Sequence, residues 1–187
     1  MPPFDAITLH TPRLFLRPLE AGDAQALMTI YADPKVSRFL SRPAWTSLDQ
    51  AHESIARAQR YAALGEGLRL GVLEQGQERV IGDVTLFDFM PQCRRAEMGY
   101  VLAADRWGRG FMHEALTALV DHAFSALDLN RIEADIDPRN TGSARSLERL
   151  GFLREGFLRE RWIVAGEVSD TALYGLLRRD WAGRAAG

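Results

Sequence analysis

The sequence predicts a single mixed α+β domain, and three observations carry that reading. Two apolar-alternating stretches, LRLGVLE and RVIGDVTLFDF, flank Gln75-Gly76-Gln77 and are followed by AEMGYVLA, which reads as a three-strand antiparallel run. A helical stripe then separates AEMGYVLA (96–103) from RIEADID (131–137), the pattern of a parallel strand–helix–strand crossover of right-handed sense. The 187 residues contain no internal repeat, low-complexity segment or Pro/Gly/Ser linker, so residues 1–187 read as one domain.

Taken in chain order, RLFLRPL (13–19) alternates Leu14 and Leu16 with Phe15 and Arg17 and reads as a strand ended by Pro18. Asp23 is placed to cap a helix from about Ala24 to Tyr31, whose face carries Ala24, Leu27, Met28 and Tyr31; Asp33-Pro34 ends it. After a loop at 41–46, Thr46 or Ser47 caps a second helix with Ala51, Ile55, Ala58 and Ala62 on one side. The three-strand run follows, with PQCRR as its second turn. Met112, Ala115, Leu116, Leu119, Val120, Ala123, Phe124 and Leu127 then recur at helical spacing without a break. Pro138 ends the strand RIEADID, and Gly151 closes the short helix TGSARSLERLG. Strand material at Arg161–Val164 and Thr171–Leu177, turned at Gly166, completes the order.

Composition narrows the function. The chain is 47 % apolar and 26 % charged with a formal net charge of −2, which suggests no basic surface for nucleic acid. No apolar run approaches the roughly 20 residues of a membrane span, and MPPFDAITLH lacks a basic region followed by an apolar stretch. The expected location is the cytoplasm, with no membrane partner. The lone Cys93 excludes an intrachain disulfide and reads as a small turn residue. His113-Glu114 opens a zinc-protease pattern that Thr117 breaks, so no metal site is expected.

DRWGRGFMHEAL (105–116) holds the most informative stretch. A helix leaves its first amides unpaired and its N-terminus partly positive, so phosphate fits there. Gly108 and Gly110 bare the backbone immediately before such a helix, and Arg106 and Arg109 add charge. The stretch reads either as a pyrophosphate cradle or as an ordinary strand-to-helix turn. No Gly-Lys-Ser/Thr follows, and His113 stands where a dinucleotide fingerprint wants its third glycine.

RRAEMGYVLAADRWGRGFMHEAL resembles the acetyl-CoA-binding segment of the GNAT superfamily of N-acetyltransferases, and the wider match is to its RimJ/RimL-type branch. TPRLFLRPLEAGDAQAL is similar to that branch's opening, VIGDVTLFDF to its central hairpin, NRIEADIDPRNTGSARSLERLGFLREG to its second block and GEVSDTALYGLL to its ending. The resemblance implies a central, mostly antiparallel sheet with one parallel, splayed strand pair and flanking helices. It implies that the backbone of Tyr100, Val101 and Leu102 pairs with the pantetheine arm. The backbone of Trp107, Gly108, Arg109, Gly110, Phe111 and Met112 would hold the pyrophosphate. In the family's turn, Gln/Arg-x-x-Gly-x-Gly/Ala, Trp107 takes the first position and Gly110 the fourth; Met112 replaces the small sixth residue and is expected to point into the core. Asn140 and Ser143 match the Asn-x-x-Ser that lies along the cofactor; on their own they read as a helix N-cap and a first-turn hydroxyl.

Acyl transfer from a thioester to an amine needs a neutral amine, a stabilised oxyanion and a proton for the leaving thiolate. The Leu102 amide is the candidate oxyanion donor. Some enzymes of this branch have a candidate glutamate base where Trp162 stands here, so that role does not carry over. Glu97, on the face shared with Val101, is the alternative base, or else the partner of a cross-strand arginine. Tyr174 and Ser143 are candidate acids, with packing the other reading of Tyr174. Glu160 and Asp170 are further carboxylates with a solvated strand reading. The expected activity is direct acetyl transfer from acetyl-CoA to a primary amine in a ternary complex. The acceptor is expected to be an N-terminal α-amine of a protein or peptide. A small amine such as an antibiotic or polyamine is the alternative, as is a silent CoA-binding module. The chain is expected to be a monomer or a homodimer.

Overall fold

A computed structural model describes residues 3–182. One eight-stranded sheet organises the chain. Leu9–His10 (β1) pairs with Leu14–Pro18 (β2), where Leu14 and Leu16 are fully buried. Ala24–Ala32 (α1), Pro34–Ser37 (α2) and Leu48–Leu64 (α3) follow, and then the three-strand run Leu68–Glu74 (β3), Val80–Met90 (β4) and Arg95–Leu102 (β5). Phe111–Ser125 (α4) crosses to Arg131–Ile136 (β6), Thr141–Leu150 (α5) leads to the long hairpin Leu153–Val164 (β7) and Glu167–Leu177 (β8), and Arg178–Ala182 (α6) follows. The strand order is β1-β2-β3-β4-β5-β6-β8-β7, and among the described residues only β5 and β6 run parallel.

Alternation along β5 divides the core in two. Ala96, Met98 and Leu102 join Leu116, Leu119, Val120 and Ala123 of α4 and Leu147 of α5, whereas Val101 joins Leu27 and Ile30 of α1 and Ile55 of α3. Helices therefore cover both faces. Each fully buried leucine of α4 contributes about 1.5–3 kcal/mol relative to exposure, so the unbroken stripe fixes this helix against the sheet. Gly65 and Gly151 close α3 and α5 in the left-handed region, at φ 68° and 93°.

Three local readings change. Asp23 sits at the N-terminus of α1 but does not cap it, because its carboxylate accepts from Arg17 Nη1 and Nη2 at 2.7 and 2.9 Å. Asp33-Pro34 both ends α1 and starts α2, with the Asp33 carboxylate accepting from the Lys35 amide at 2.8 Å. The last hairpin is longer than expected: β7 begins at Leu153 rather than Arg161, and β8 at Glu167 rather than Thr171. Most of β7 is exposed on both faces, so LREGFLRERW carries no apolar alternation to read.

Candidate active site

The parallel pair is short. β5 and β6 pair only through Arg95–Arg131, Ala96–Ile132 and Glu97–Glu133; beyond Glu97 each strand keeps its antiparallel neighbour and loses the other. A gap opens between Met98–Leu102 and Ala134–Ile136. The Ala103 amide donates to Ile81 O at 2.8 Å, so by alternation the amides of Tyr100 and Leu102 face the gap. On that side the Leu102 carbonyl accepts from Trp107 Nε1 at 2.9 Å, which ties the following turn to the strand end.

That turn is held by the far edge of the sheet. Gly108 and Gly110 adopt φ 74° and 79°, the left-handed region where a Cβ is disfavoured. Gly110 precedes α4 without a side-chain cap, which leaves the first-turn amides of the helix facing outward. Arg13 donates to Arg109 O at 3.0 Å, pairs with Glu114 Oε2 at 2.6 Å and lies 4.7 Å over the Phe111 ring. Glu114 also accepts from Thr11 Oγ1 and the Arg13 amide, and these bonds hold its carboxyl below the usual range against the opposing effect of burial. A Cβ on Gly110 would come within 3.4 Å of Arg13 Nη2, while one on Gly108 would project into open space. Phe111 and Met112 are 7 % and 9 % exposed and belong to the core, so the bulk of Met112 points away from the turn. Bare amides, two left-handed glycines and Arg109 fit a diphosphate; Arg106 is engaged by Glu74 and Asp105.

On the α1/α3 face lies a cleft of about 1080 Å3 that reaches through the gap to Tyr100, Asn140 and Ser143. Glu97 lines it, half-buried, with a pKa pushed up to about 7, first by burial and then by the nearby charges of Asp135, Asp88 and Glu133. Arg95 and Arg131 both bond Glu133, whereas no ion pair among the described residues includes Glu97. Burial also raises Asp135, to which the Trp162 indole donates a hydrogen bond. Ser143 Oγ lies 2.6 Å from Tyr100 Oη, and the Ser143 amide donates to Asn140 Oδ1 at 3.1 Å, so Asn140 caps α5. Burial lifts the Tyr100 hydroxyl to about 12, with the Ser143 bond acting in the opposite sense.

The cleft thus brings together Glu97, Tyr100, Val101, Asn140 and Ser143. Tyr174 lies outside the cleft lining but near Tyr100, whose hydroxyl pKa it helps to raise. It is 4 % exposed, packed in the core on the α4/α5 side with Glu148 near its hydroxyl, and does not line the cleft. Glu160 is exposed on β7 and its amide donates to Asp170 Oδ1 at 2.8 Å; neither lines the cleft. Cys93 is exposed in a turn. One cluster escaped the sequence reading. Arg69 pairs with Asp83 at 2.9 Å, donates to Ser54 Oγ at 2.7 Å and to Tyr31 Oη at 3.0 Å, and Tyr31 donates to Asp83 at 2.8 Å. The available signal was an aspartate inside the apolar run VIGDVTL, where an unpaired carboxylate would be costly.

A sheet that splays beside a glycine-rich helix start, with a carboxylate and a hydroxyl lining the cleft, is the arrangement the resemblance leads one to expect. Residues 13–153 match the acetyltransferase (GNAT) domain family, and the chain belongs to that family of N-acetyltransferases. An uncharacterized N-acetyltransferase p20 of Bacillus licheniformis is 36 % identical over 94 % of this chain and 99 % of its own length. The [ribosomal protein uS5]-alanine N-acetyltransferase of Escherichia coli is 26 % identical over 94 % and 93 %, and the spermidine N(1)-acetyltransferase of Vibrio cholerae 25 % identical over 92 % and 97 %. Among solved structures, Mycobacterium smegmatis RimJ in complex with CoA-disulfide superposes with a TM-score of 0.87 at 25 % identity, over all of this chain and 96 % of its own. Among the described residues, no helix is long and apolar enough to cross a membrane.

Proposed function

We propose that this N-acetyltransferase acts on an α-amine at a peptide or protein N-terminus, by direct attack in a ternary complex, with Glu97 as the base. The supporting observation is the half-buried Glu97 carboxyl, unpaired in the cleft and titrating near pH 7. An α-ammonium has a pKa near 8, so handing its proton to Glu97 is uphill by about one unit, or about 1.4 kcal/mol. A lysine-like amine near 10.4 faces about 3.4 units, or roughly 4.6 kcal/mol. The site's base therefore suits the weaker amine.

Acetyl-CoA supplies the acyl group as a thioester. The amides of Tyr100 and Leu102 face the gap and orient the pantetheine arm, and the amides from Gly108 to Met112 bind the diphosphate, the Trp107 amide being taken by Ala104 O. Ser143 Oγ, held by Tyr100 Oη, keeps a proton on the cofactor side of the gap.

A polyamine acceptor is the second reading, favoured by the clustering of Asp88, Glu97 and Asp135 in the cleft. Free-thiol release from acetyl-CoA against peptides and spermidine decides between the two. Peptide α-amines are expected to turn over fastest; turnover of spermidine alone would refute the α-amine assignment. A Gly110→Val variant that melts as a folded protein is expected to lose at least tenfold in CoA affinity by calorimetry. Unchanged affinity would remove the cradle from the scheme.

A further inference from the structure

The cleft is lined by charges of both signs. Asp88, Glu97 and Asp135 line it beside the gap, and Arg38 just after α2, Arg42 in the loop before α3 and Arg57 of α3 line it as well. Among the described residues these three arginines form no ion pair within 4 Å, although most other arginines of the cleft and its surroundings do. Arg38 feels Asp137 nearby, while Arg42 is half-buried and Arg57 exposed.

Arg42 is the more constrained of the two. Its guanidinium lies 4.7 Å over the Tyr31 ring and 5.6 Å from the Trp45 ring, and those rings stack on each other at 4.3 Å. Tyr31 is in turn fixed by Asp83 and Arg69. A planar fork held on an aromatic shelf, half-buried and without an anion, is a prepared carboxylate or phosphate receptor. Arg69 is not available for this role, because Asp83 already takes both sides of its guanidinium.

The sheet gives the spacing. Asp83, which anchors Tyr31, pairs with Val101, and Glu97 lies four residues from Val101 on the same strand face. At roughly 3.3 Å per residue the Asp83–Val101 row, on which the Tyr31 shelf under Arg42 is anchored, lies about 13 Å along the strand from the Glu97 row. About four extended peptide residues span that distance, or three with the added reach of an acidic side chain.

We infer that the acceptor is an amine carrying an anionic group about three to four residues' length away, the amine lying at Glu97 and the anion at Arg42 and Arg57. Its source is an acidic peptide N-terminus or a free amine acid of that reach. The inference rests on the α-amine reading and names the substrate class for that same site.

The test uses three peptides with one common N-terminal residue and acidic, neutral or basic residues at positions three and four, together with spermidine and a series of ω-amino acids of increasing length. Wild type is expected to favour the acidic peptide over the neutral one by at least tenfold in kcat/KM, mainly through KM. Arg42→Ala with Arg57→Ala is expected to erase that preference while leaving the neutral peptide within about threefold. The milder Arg42→Gln keeps the experiment readable should the double variant melt. Equal rates for acidic and neutral peptides would overturn the anion receptor yet leave the α-amine reading intact. Turnover of spermidine without any peptide would overturn both. Faster turnover of a long ω-amino acid than of the acidic peptide would support the anion receptor but overturn the α-amine reading, since the ω-amine is lysine-like.

Discussion

Replacing Glu97 by glutamine tests the base through two opposite effects. The carboxyl's pKa is about 7 in the fold against 4.5 in the free chain, so the folded state binds the proton more tightly. The stability it contributes is complete below about pH 4.5 and is lost as pH rises through 7. A shift of about 2.5 units corresponds to about 3.4 kcal/mol at most, and because the group is half exposed to solvent the expected effect is reduced to about 1–2 kcal/mol. Glu97→Gln, which never ionises, is therefore expected to be more stable than wild type by about 1–2 kcal/mol at pH 8.5 and equal to it at pH 4, read by urea melts. Its acetyl transfer is expected to fall 10²–10⁴-fold, and the limb of the wild-type pH–kcat profile near 7 is expected to vanish. A variant with wild-type rate and profile, or one less stable at pH 8.5, would refute the account of this residue.

Asp83→Ala is expected to cost about 3–5 kcal/mol, since it strands the buried Arg69 charge and frees Tyr31; thermal melts read the loss. Gly108→Ala meets no atom within 4 Å yet places a Cβ at φ 74°, so about 1–2 kcal/mol of stability is expected to go, together with CoA affinity by calorimetry. Tyr100→Phe removes the partner of Ser143 Oγ and is expected to lower kcat five- to tenfold with little change in KM for CoA. Tyr174→Phe, outside the cleft, is expected to leave kcat within twofold in the same assay.

The legible parts of this chain were those where one physical pattern ran uninterrupted. The stripe from Met112 to Phe124 predicted α4, alternation predicted β2, and apolar runs bounded by turn residues predicted β3 to β6, whose central strands are buried on both faces. Gly108 and Gly110 were legible as a turn because a glycine pair before an apolar helix has few other uses. β7 was illegible from Leu153 to Glu160, since an edge strand exposed on both faces has no periodic signal. The Arg69–Asp83–Tyr31–Ser54 cluster was also hidden, because its members lie as far apart as positions 31 and 83 and only the sheet brings them together. Glu97 was visible as a carboxylate on a chosen face, but its raised pKa comes first from burial in the folded cleft and then from Asp135 and Asp88 on other segments. Tyr174 carried two readings, acid or packed residue, and pairing of β8 with β6 opposite Ala134 places it in the core beside α4 and α5.

The outer rim of the sheet has a defence built into it. β7 carries Leu153, Phe157, Leu158 and Ile163 at the surface, a greasy border that would invite a stranger's backbone to add itself on. Glu160 turns to φ 52°, and the ladder with β8 skips between Leu158 and Trp162. That kink breaks the border into two short, misaligned stretches flanked by Arg159 and Arg161, so an incoming strand finds no straight run to zip against.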